Sequence, residues 1–387
     1  MPYPMDPFEQ SRAATGVSLA DFGNEVMPML LRYRDVRKAA NDWARFSNNA
    51  PARLSLPDET DVRTLRQLPI ETDPPDHTDY RDLVKPWFRR PTEAAYVARI
   101  TALTDALLTT AVAAGQVNVE TDLALPLQSR ALTVLLNMPE TEAETWIAWG
   151  THAFRVEGRN VPQKAQVLLD YITTHVAAAM HDPGDDLFGH LARARFRGRP
   201  LTADEIAGVL HVTFAGGRDT VILTVAGALA HLAETPADLR RLWSEPGLAL
   251  TATEEFVRYF SPLSHFGRVC PTGAEVGGHT VPPDGRVALC WASANFDPTV
   301  FDDPTALRLD RTPNPHVGFG SGPHNCLGSL HARLVIRTVL DRIAQRQIGL
   351  TLVRGLRLVT DVGGFARPQG FSDLVIAFKE GNGLGMV

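Results

Sequence analysis

The sequence predicts a mainly α protein, a large helical domain with small antiparallel β-sheets. Three observations carry this. Apolar residues recur at three and four spacing through most of the stretch from about Asp35 to Arg258. Strand-like runs are few, short and gathered late in the chain. No repeat, low-complexity linker or shift of composition marks a boundary, so residues 1–387 read as one domain, long enough to bury a large core.

In chain order, "ITALTDALLTTAVAAG" and "QKAQVLLDYITTHVAAAM" keep the helical period, and the longest candidate helix is "TADEIAGVLHVTFAGGRDTVILTVAGALAHLAE". Thr202 followed by Glu205 predicts a capping box at its start, and it stops before Thr235-Pro236. Gly216 and Gly217 interrupt its centre at about 1 kcal/mol each relative to alanine, and Arg218, Asp219 and Thr220 follow on an otherwise apolar rod. A glycine pair there marks a kink, the close approach of something bulky, or packing against another helix. Further on, "EVGGHTVPPDGRVALC" reads as a hairpin, and "GLRLV" and "DLVIAF" as late pairing strands.

The net charge of −6 gives no case for nucleic-acid binding through bulk electrostatics. Lysine occurs only at Lys38, Lys85, Lys164 and Lys379, so nearly all positive charge is arginine, which suits fixed pairs and anion clamps. The first twenty residues show no basic segment followed by an apolar one, and no run reads as a membrane span, so a soluble cytoplasmic protein is expected. Cys270, Cys290 and Cys326 lack CxxC spacing, which argues against a disulfide framework and against tetrahedral zinc.

Cys326 lies in "FGSGPHNCLGS", residues 319–329. A thiolate in an apolar setting needs hydrogen-bond donors, and glycine lets the chain curl so that backbone N–H groups supply them. Gly320, Gly322 and Gly328 fit that shell, and the helical "LGSLHARLVIRTVLDRIAQ" puts the sulfur near the positive end of a helix. On these grounds alone a metal-bound thiolate and a structural cysteine in a glycine-rich turn are equal readings. Glu255 and Arg258 in "EEFVR" share a helix face, which by itself is an ordinary surface pair.

The stretch Phe319-Gly320-Ser321-Gly322-Pro323-His324-Asn325-Cys326-Leu327-Gly328 resembles the haem-thiolate signature of the cytochrome P450 family. The resemblance extends from about Asp35 to the C-terminal strands. It implies the P450 fold, with haem b between a distal and a proximal helix and iron held by Cys326, whose electron donation assists O–O cleavage. It makes Glu255 and Arg258 the family's ExxR pair, locked structurally with Arg311. "ASANFDPTVFDDP" is similar to the family's AN-x-DP stretch, with Phe296 where a polar residue is more usual. His77 and Arg81 in "DPPDHTDYR", Arg268 in "SHFGRVC" and His324 are implied partners of the haem propionates. "AGGRDTV" resembles the oxygen-binding stretch of the distal helix in camphor-hydroxylase-type enzymes. There Gly216 would open the helix beside the haem, while Asp219 and Thr220 would relay protons through water. The cation that holds Asp219 is not evident from the sequence.

The activity implied is a monooxygenase inserting one atom of O2 into a small hydrophobic molecule of terpenoid or aromatic type. Its pocket would be walled by the loop before His77, the segment from Phe154 to Pro162, Val212 and Ala215, and Ser264, His265 and Phe266. Arg155 or Arg159 could hold a carboxylate. Electrons would come from a ferredoxin and an NAD(P)H-dependent ferredoxin reductase. Lys85, Arg89, Arg90, Arg333 and Arg337 form the candidate docking patch, or else a set of solvated charges. A peroxide-driven peroxygenase is the alternative enzyme, a haem gas sensor the alternative outside catalysis, and fold alone does not exclude other oxidations.

Overall fold

The computed structural model describes residues 4–23, 25–151 and 161–381, together with the backbone of 155–156 and 159–160. Its helices run in chain order as α1 (Glu9–Ala14), α2 (Tyr33–Asn41), α3 (Asp76–Val84), α4 (Ala94–Ala114), α5 (Leu125–Leu136), α6 (Glu142–Ala148) and α7 (Pro162–His181). They continue with α8 (Leu187–Arg193), α9 (Ala203–Gly217), α10 (Asp219–Glu234), α11 (Pro236–Ser244), α12 (Leu248–Phe260), α13 (Trp291–Ala294) and α14 (Ser329–Gln345). Both α5 and α10 are buried on nearly every face, as helices without a polar side must be. They share one core with α9, α12 and α14 through residues such as Leu132, Phe214, Leu229, Phe256 and Val335. Gly227 of α10 is dictated by packing, since a Cβ there would lie 2.8 Å from the Phe260 ring.

The capping box at Thr202 and Glu205 is present. The single long helix expected from the sequence is instead two. The chain leaves the helix after Gly217 and re-enters at Asp219, with Arg218 at φ −101° and ψ −71° between them. Ala94–Ala114 and Ala203–Glu234 are long and apolar enough by composition to be candidate spans, which the sequence reading did not anticipate. Here α4 packs on α5 and α14, and α9 and α10 line the core.

The strands also differ from expectation. "EVGGHTVPPDGRVALC" is not one hairpin. Ala274–Val276 and His279–Val281 pair around Gly277 and Gly278, both at positive φ, and Pro282-Pro283 then ends the ladder because proline has no N–H to donate. Gly285–Leu289 joins a four-stranded sheet instead, antiparallel to Phe266–Cys270 and parallel to Val26–Leu30, with Val17–Asp21 at the edge. The two late runs lie on opposite strands of a longer hairpin, Gly349–Val362 and Phe365–Lys379, that turns at Gly363-Gly364, but they do not face each other: Leu356, Arg357 and Val359 pair with Ser372, Phe371 and Pro368, and residues 375–378 pair with residues 350–354.

Glu255, Arg258 and Arg311 form a buried cluster. Arg258 grips both Glu255 oxygens, at 2.7 Å from Nε and 2.8 Å from Nη2, and Arg311 Nε lies 3.0 Å from Oε2. The remaining guanidinium N–H groups bind backbone carbonyls of Asn295, Pro304 and Ala306 from Arg258, and of Asp302, Asp303 and Ala306 from Arg311. Phe296, the departure from the family pattern, lies under the Arg258 guanidinium at 5.3 Å, an aromatic face for a buried cation. Asn295 Oδ1 accepts the Val317 N–H at 2.8 Å, so this cluster fixes the chain that enters the cysteine loop.

Candidate active site

The cysteine loop is folded by its own backbone. Cys326 N–H donates to Phe319 O at 2.8 Å, Gly320 N–H to Val317 O at 2.9 Å, and Asn325 Nδ2 to Phe319 O at 3.2 Å. Gly320 and Gly322 both have positive φ. Gly322 has a second reason to be glycine, because a Cβ would meet Ala40 O at 2.6 Å where α2 passes. Cys326 has solvent-accessible surface, yet protein crowds its sulfur and this burial pushes the thiol pKa up. The Gly328 N–H and the charges of Arg81 and Arg333 act in the opposite direction. An anionic sulfur here therefore calls for a bound cation.

His77, Arg81, Arg268 and His324 converge beside this loop. The His77 and His324 rings lie 4.1 Å apart, and among the described residues none of their four nitrogens has a protein hydrogen-bond partner. Burial pushes His77 down to about 4, with Arg81 adding to the effect. Burial pushes His324 down to about 2, helped by Arg268, His77 and Arg81. Arg268 is 2% exposed, donates among the described residues only to Gly267 O at 2.7 Å, and burial lowers it to about 10. Arg81 donates to Asn325 O at 2.7 Å. Neither arginine has a salt bridge among the described residues. Donors left this way belong around an anion, and two carboxylates would satisfy them. The residues thus fit haem on two counts, a thiolate for iron and a cationic nest for propionates.

On the other side, Val212, Ala215, Gly216, Asp219 and Thr220 keep accessible surface while His211, Thr213, Phe214 and Arg218 are buried, so one face of the α9–α10 pair is open. A Cβ on Gly216 would meet nothing within 4 Å. Thr220 Oγ1 donates to Gly216 O at 3.0 Å. Arg218 is fully buried and donates through Nη2 to the carbonyls of Trp146 at 2.8 Å and Gly150 at 2.7 Å. Burial lowers its pKa and the charge of Asp219 raises it, so Arg218 supplies a positive charge near Asp219. The signal was an arginine in the middle of an apolar helix.

The three expected pocket residues after α12 differ in their surroundings. Ser264 is 4% exposed, with its hydroxyl held between Arg367 Nη1 at 3.2 Å and Gln369 Oε1 at 3.1 Å, so it serves a buried polar cluster and not a cavity wall. His265 stacks on Phe22 at 5.0 Å, with Nε2 3.2 Å from Leu56 O. Phe266 is partly buried beneath Arg268. Phe154 and the side chains of Arg155 and Arg159 lie outside the described residues. The docking patch is thinner than expected. Arg333 is paired with Glu254 at 2.7 Å, Arg337 with Asp341 at 3.2 Å, and Arg90 covers Trp87 and donates to Leu135 O. Lys85 and Arg89 stay exposed.

A family model described as cytochrome P450 matches residues 248–346, from α12 through the cysteine loop to the end of α14. Cyclomarin C epoxidase CymV of Salinispora arenicola is 32% identical over 359 residues, 90% of either chain. A solved structure described as a carbohydrate active P450 is 44% identical, covers 97% of this chain and 98% of its own, and has a TM-score of 0.94. The chain belongs to the cytochrome P450 family. Linalool 8-monooxygenase of Pseudomonas putida is a further P450 relative at 29% identity, covering 82% of both chains. As a P450 the chain has the expected fold, with haem b as cofactor, and is a monooxygenase that acts on a small substrate with electrons from redox partners.

Proposed function

We propose that Cys326 ligates the haem iron, that His77, Arg81, Arg268 and His324 take the propionates, and that Asp219 and Thr220 deliver protons on the distal side. The observation that carries this is the nest of buried, anion-seeking side chains next to a crowded thiol. When bound, haem supplies oxygen activation, assisted by the electron donation of the thiolate. Thr220 donates its proton to Gly216 O, beside the helix break, and so keeps its oxygen lone pairs available to accept from water. Asp219 exchanges protons with solvent while Arg218 supplies positive charge beside it. We read the enzyme as soluble and cytoplasmic, served by a ferredoxin and an NAD(P)H-dependent ferredoxin reductase, with Lys85 and Arg89 left to meet an acidic carrier.

Two substrate classes compete. The apolar positions Val212 and Ala215 favour a terpenoid or aromatic molecule. The likeness to a carbohydrate active P450, at 44% identity over 97% of the chain, favours a hydroxyl-bearing substrate of carbohydrate type, and this is the reading adopted. Titrating the ferric enzyme with panels of both classes should give a low-spin to high-spin shift with the carbohydrate panel. A shift confined to terpenoids or aromatics would reverse the assignment. Asp219→Asn should slow O2-dependent turnover about 100-fold, because it removes the acid–base group of the relay. Peroxide-driven turnover as fast as the O2 reaction and indifferent to Asp219→Asn would favour the peroxygenase. A haem that turns over nothing with NADH and redox partners would favour the sensor.

A further inference from the structure

A buried hydrogen-bond chain joins the two helices between which the family places its haem. Gly217 O is the last carbonyl of α9, and in an unbroken helix the Val221 N–H would take it. The backbone ladder instead resumes with Ile222 N–H to Arg218 O at 3.2 Å, and Gly217 O accepts from Gln128 Nε2 of α5 at 2.6 Å. The same Nε2 lies 3.2 Å from His331 Nε2, five residues after Cys326, and His331 Nδ1 lies 2.8 Å from Tyr96 Oη. Gln128 is 1% exposed, and His331 and Tyr96 are each 3% exposed.

The proton positions in this chain follow from chemistry. Gly217 O can only accept, so the Gln128 amide must face it with NH2, because the reversed amide would set two oxygens 2.6 Å apart. The second amide proton then meets His331 Nε2, which must be a bare acceptor, leaving the proton on Nδ1 to be donated to Tyr96. A protonated ring would set two donors against each other. Burial alone pushes His331 down to about 4, which agrees with a neutral imidazole. Its place on α14 is on the buried stripe with Val335 and Val339, where an apolar residue would pack at no polar penalty.

We propose that Gln128 is a positioning residue that holds the α9–α10 break open by occupying Gly217 O, and that His331 and Tyr96 lock its orientation. A side chain inserted into the helical ladder is a recognised cause of a break. The clamp joins the helix after Cys326 to the turn that carries Asp219 and Thr220. Its link to catalysis rests on the proton-delivery reading above, while the clamp itself does not.

The test is amide hydrogen exchange on the haem-loaded enzyme, comparing the native chain with Gln128→Leu and His331→Leu, alongside the fraction of electrons lost to peroxide. Without Gln128 the Val221 N–H can recapture Gly217 O, so exchange across residues 219–222 should slow about fivefold, the equivalent of one net hydrogen bond. A merely structural role predicts the opposite, faster exchange there and through α5 and α14. His331→Leu should slow the same amides about twofold, and it serves as the test should Gln128→Leu fail to take up haem. Unchanged or faster exchange at 219–222 in the variants that fold overturns the clamp. Slowed exchange with a peroxide fraction that rises several-fold supports both clamp and relay. Slowed exchange with an unchanged peroxide fraction upholds the clamp and counts against the proton-delivery reading.

Discussion

Cys326→Ser should abolish O2-dependent turnover while leaving the fold in place. Serine is a hard oxygen donor that stays protonated near neutrality, so the substitution removes both the soft ligand and its electron donation to iron. The cost to the apoprotein should be small. The loop's own bonds run through backbone, from Cys326 N–H to Phe319 O and from Gly320 N–H to Val317 O, and neither uses the sulfur. A change of less than about 1 kcal/mol in folding stability is expected. The measurement is the carbon monoxide difference spectrum of the reduced protein with its circular dichroism. Loss of the thiolate-type band in a folded protein is the expected result. Survival of that band would mean that another cysteine holds the iron. The alternatives are poorly suited, since burial pushes Cys270 up to about 11 and Cys290 up to about 12, and the Cys290 sulfur already accepts the Ser293 N–H.

What could be read before the fold was known follows the reach of the interactions. The capping box at Thr202 spans three residues, and the cysteine loop is a ten-residue unit whose glycines have local reasons, so both were legible as patterns. The partners of His77 and His324 were legible only through resemblance, because two rings 4.1 Å apart come from positions 247 residues apart. Nothing local marked Gln128, which reaches Gly217 across 89 residues and His331 across 203. Ser264 was misread for the same reason, since its partner Arg367 arrives 103 residues later. Val17–Asp21 and Val26–Leu30 went unread although they pair antiparallel with each other only four residues apart in the chain; what no short-range pattern announces is the parallel pairing of Val26–Leu30 with residues 285–289. The basic patch was overstated because a list of arginines does not show the acids beside them, Glu254 for Arg333 and Asp341 for Arg337. Arg218 shows the reverse case. Its oddity in an apolar helix was visible, but its role required α6 and Gly150 to be in place.

Glu255→Ala should destabilise the protein by about 3–5 kcal/mol, because it strands buried arginines whose charge the carboxylate balances. Glu255 and Arg258 are fully buried and Arg311 is 4% exposed, so solvent cannot take over. The loss would spread, since Arg258 and Arg311 also hold the backbone from Asn295 to Ala306 that precedes the cysteine loop. The same cluster sets an acid limit. Burial acts to raise the Glu255 pKa, but the hydrogen bonds and charge of Arg258, the Arg308 N–H and the charge of Arg311 outweigh it and hold the group below its ordinary 4.5. A carboxylate depressed on folding stabilises above its unfolded pKa, and that contribution is lost as pH falls through the folded one. Glu254 behaves alike. Burial opposes its ionisation, yet His316 and Arg333 bring it down to about 2. Stability of the native protein should therefore fall from about pH 4.5 downward and continue toward pH 2. Denaturant unfolding across this range should show the Glu255→Ala curve lying below the native one at pH 7 and converging with it in acid. A gap that stays constant to pH 3 would mean that the stabilisation does not come from the ionised carboxylate.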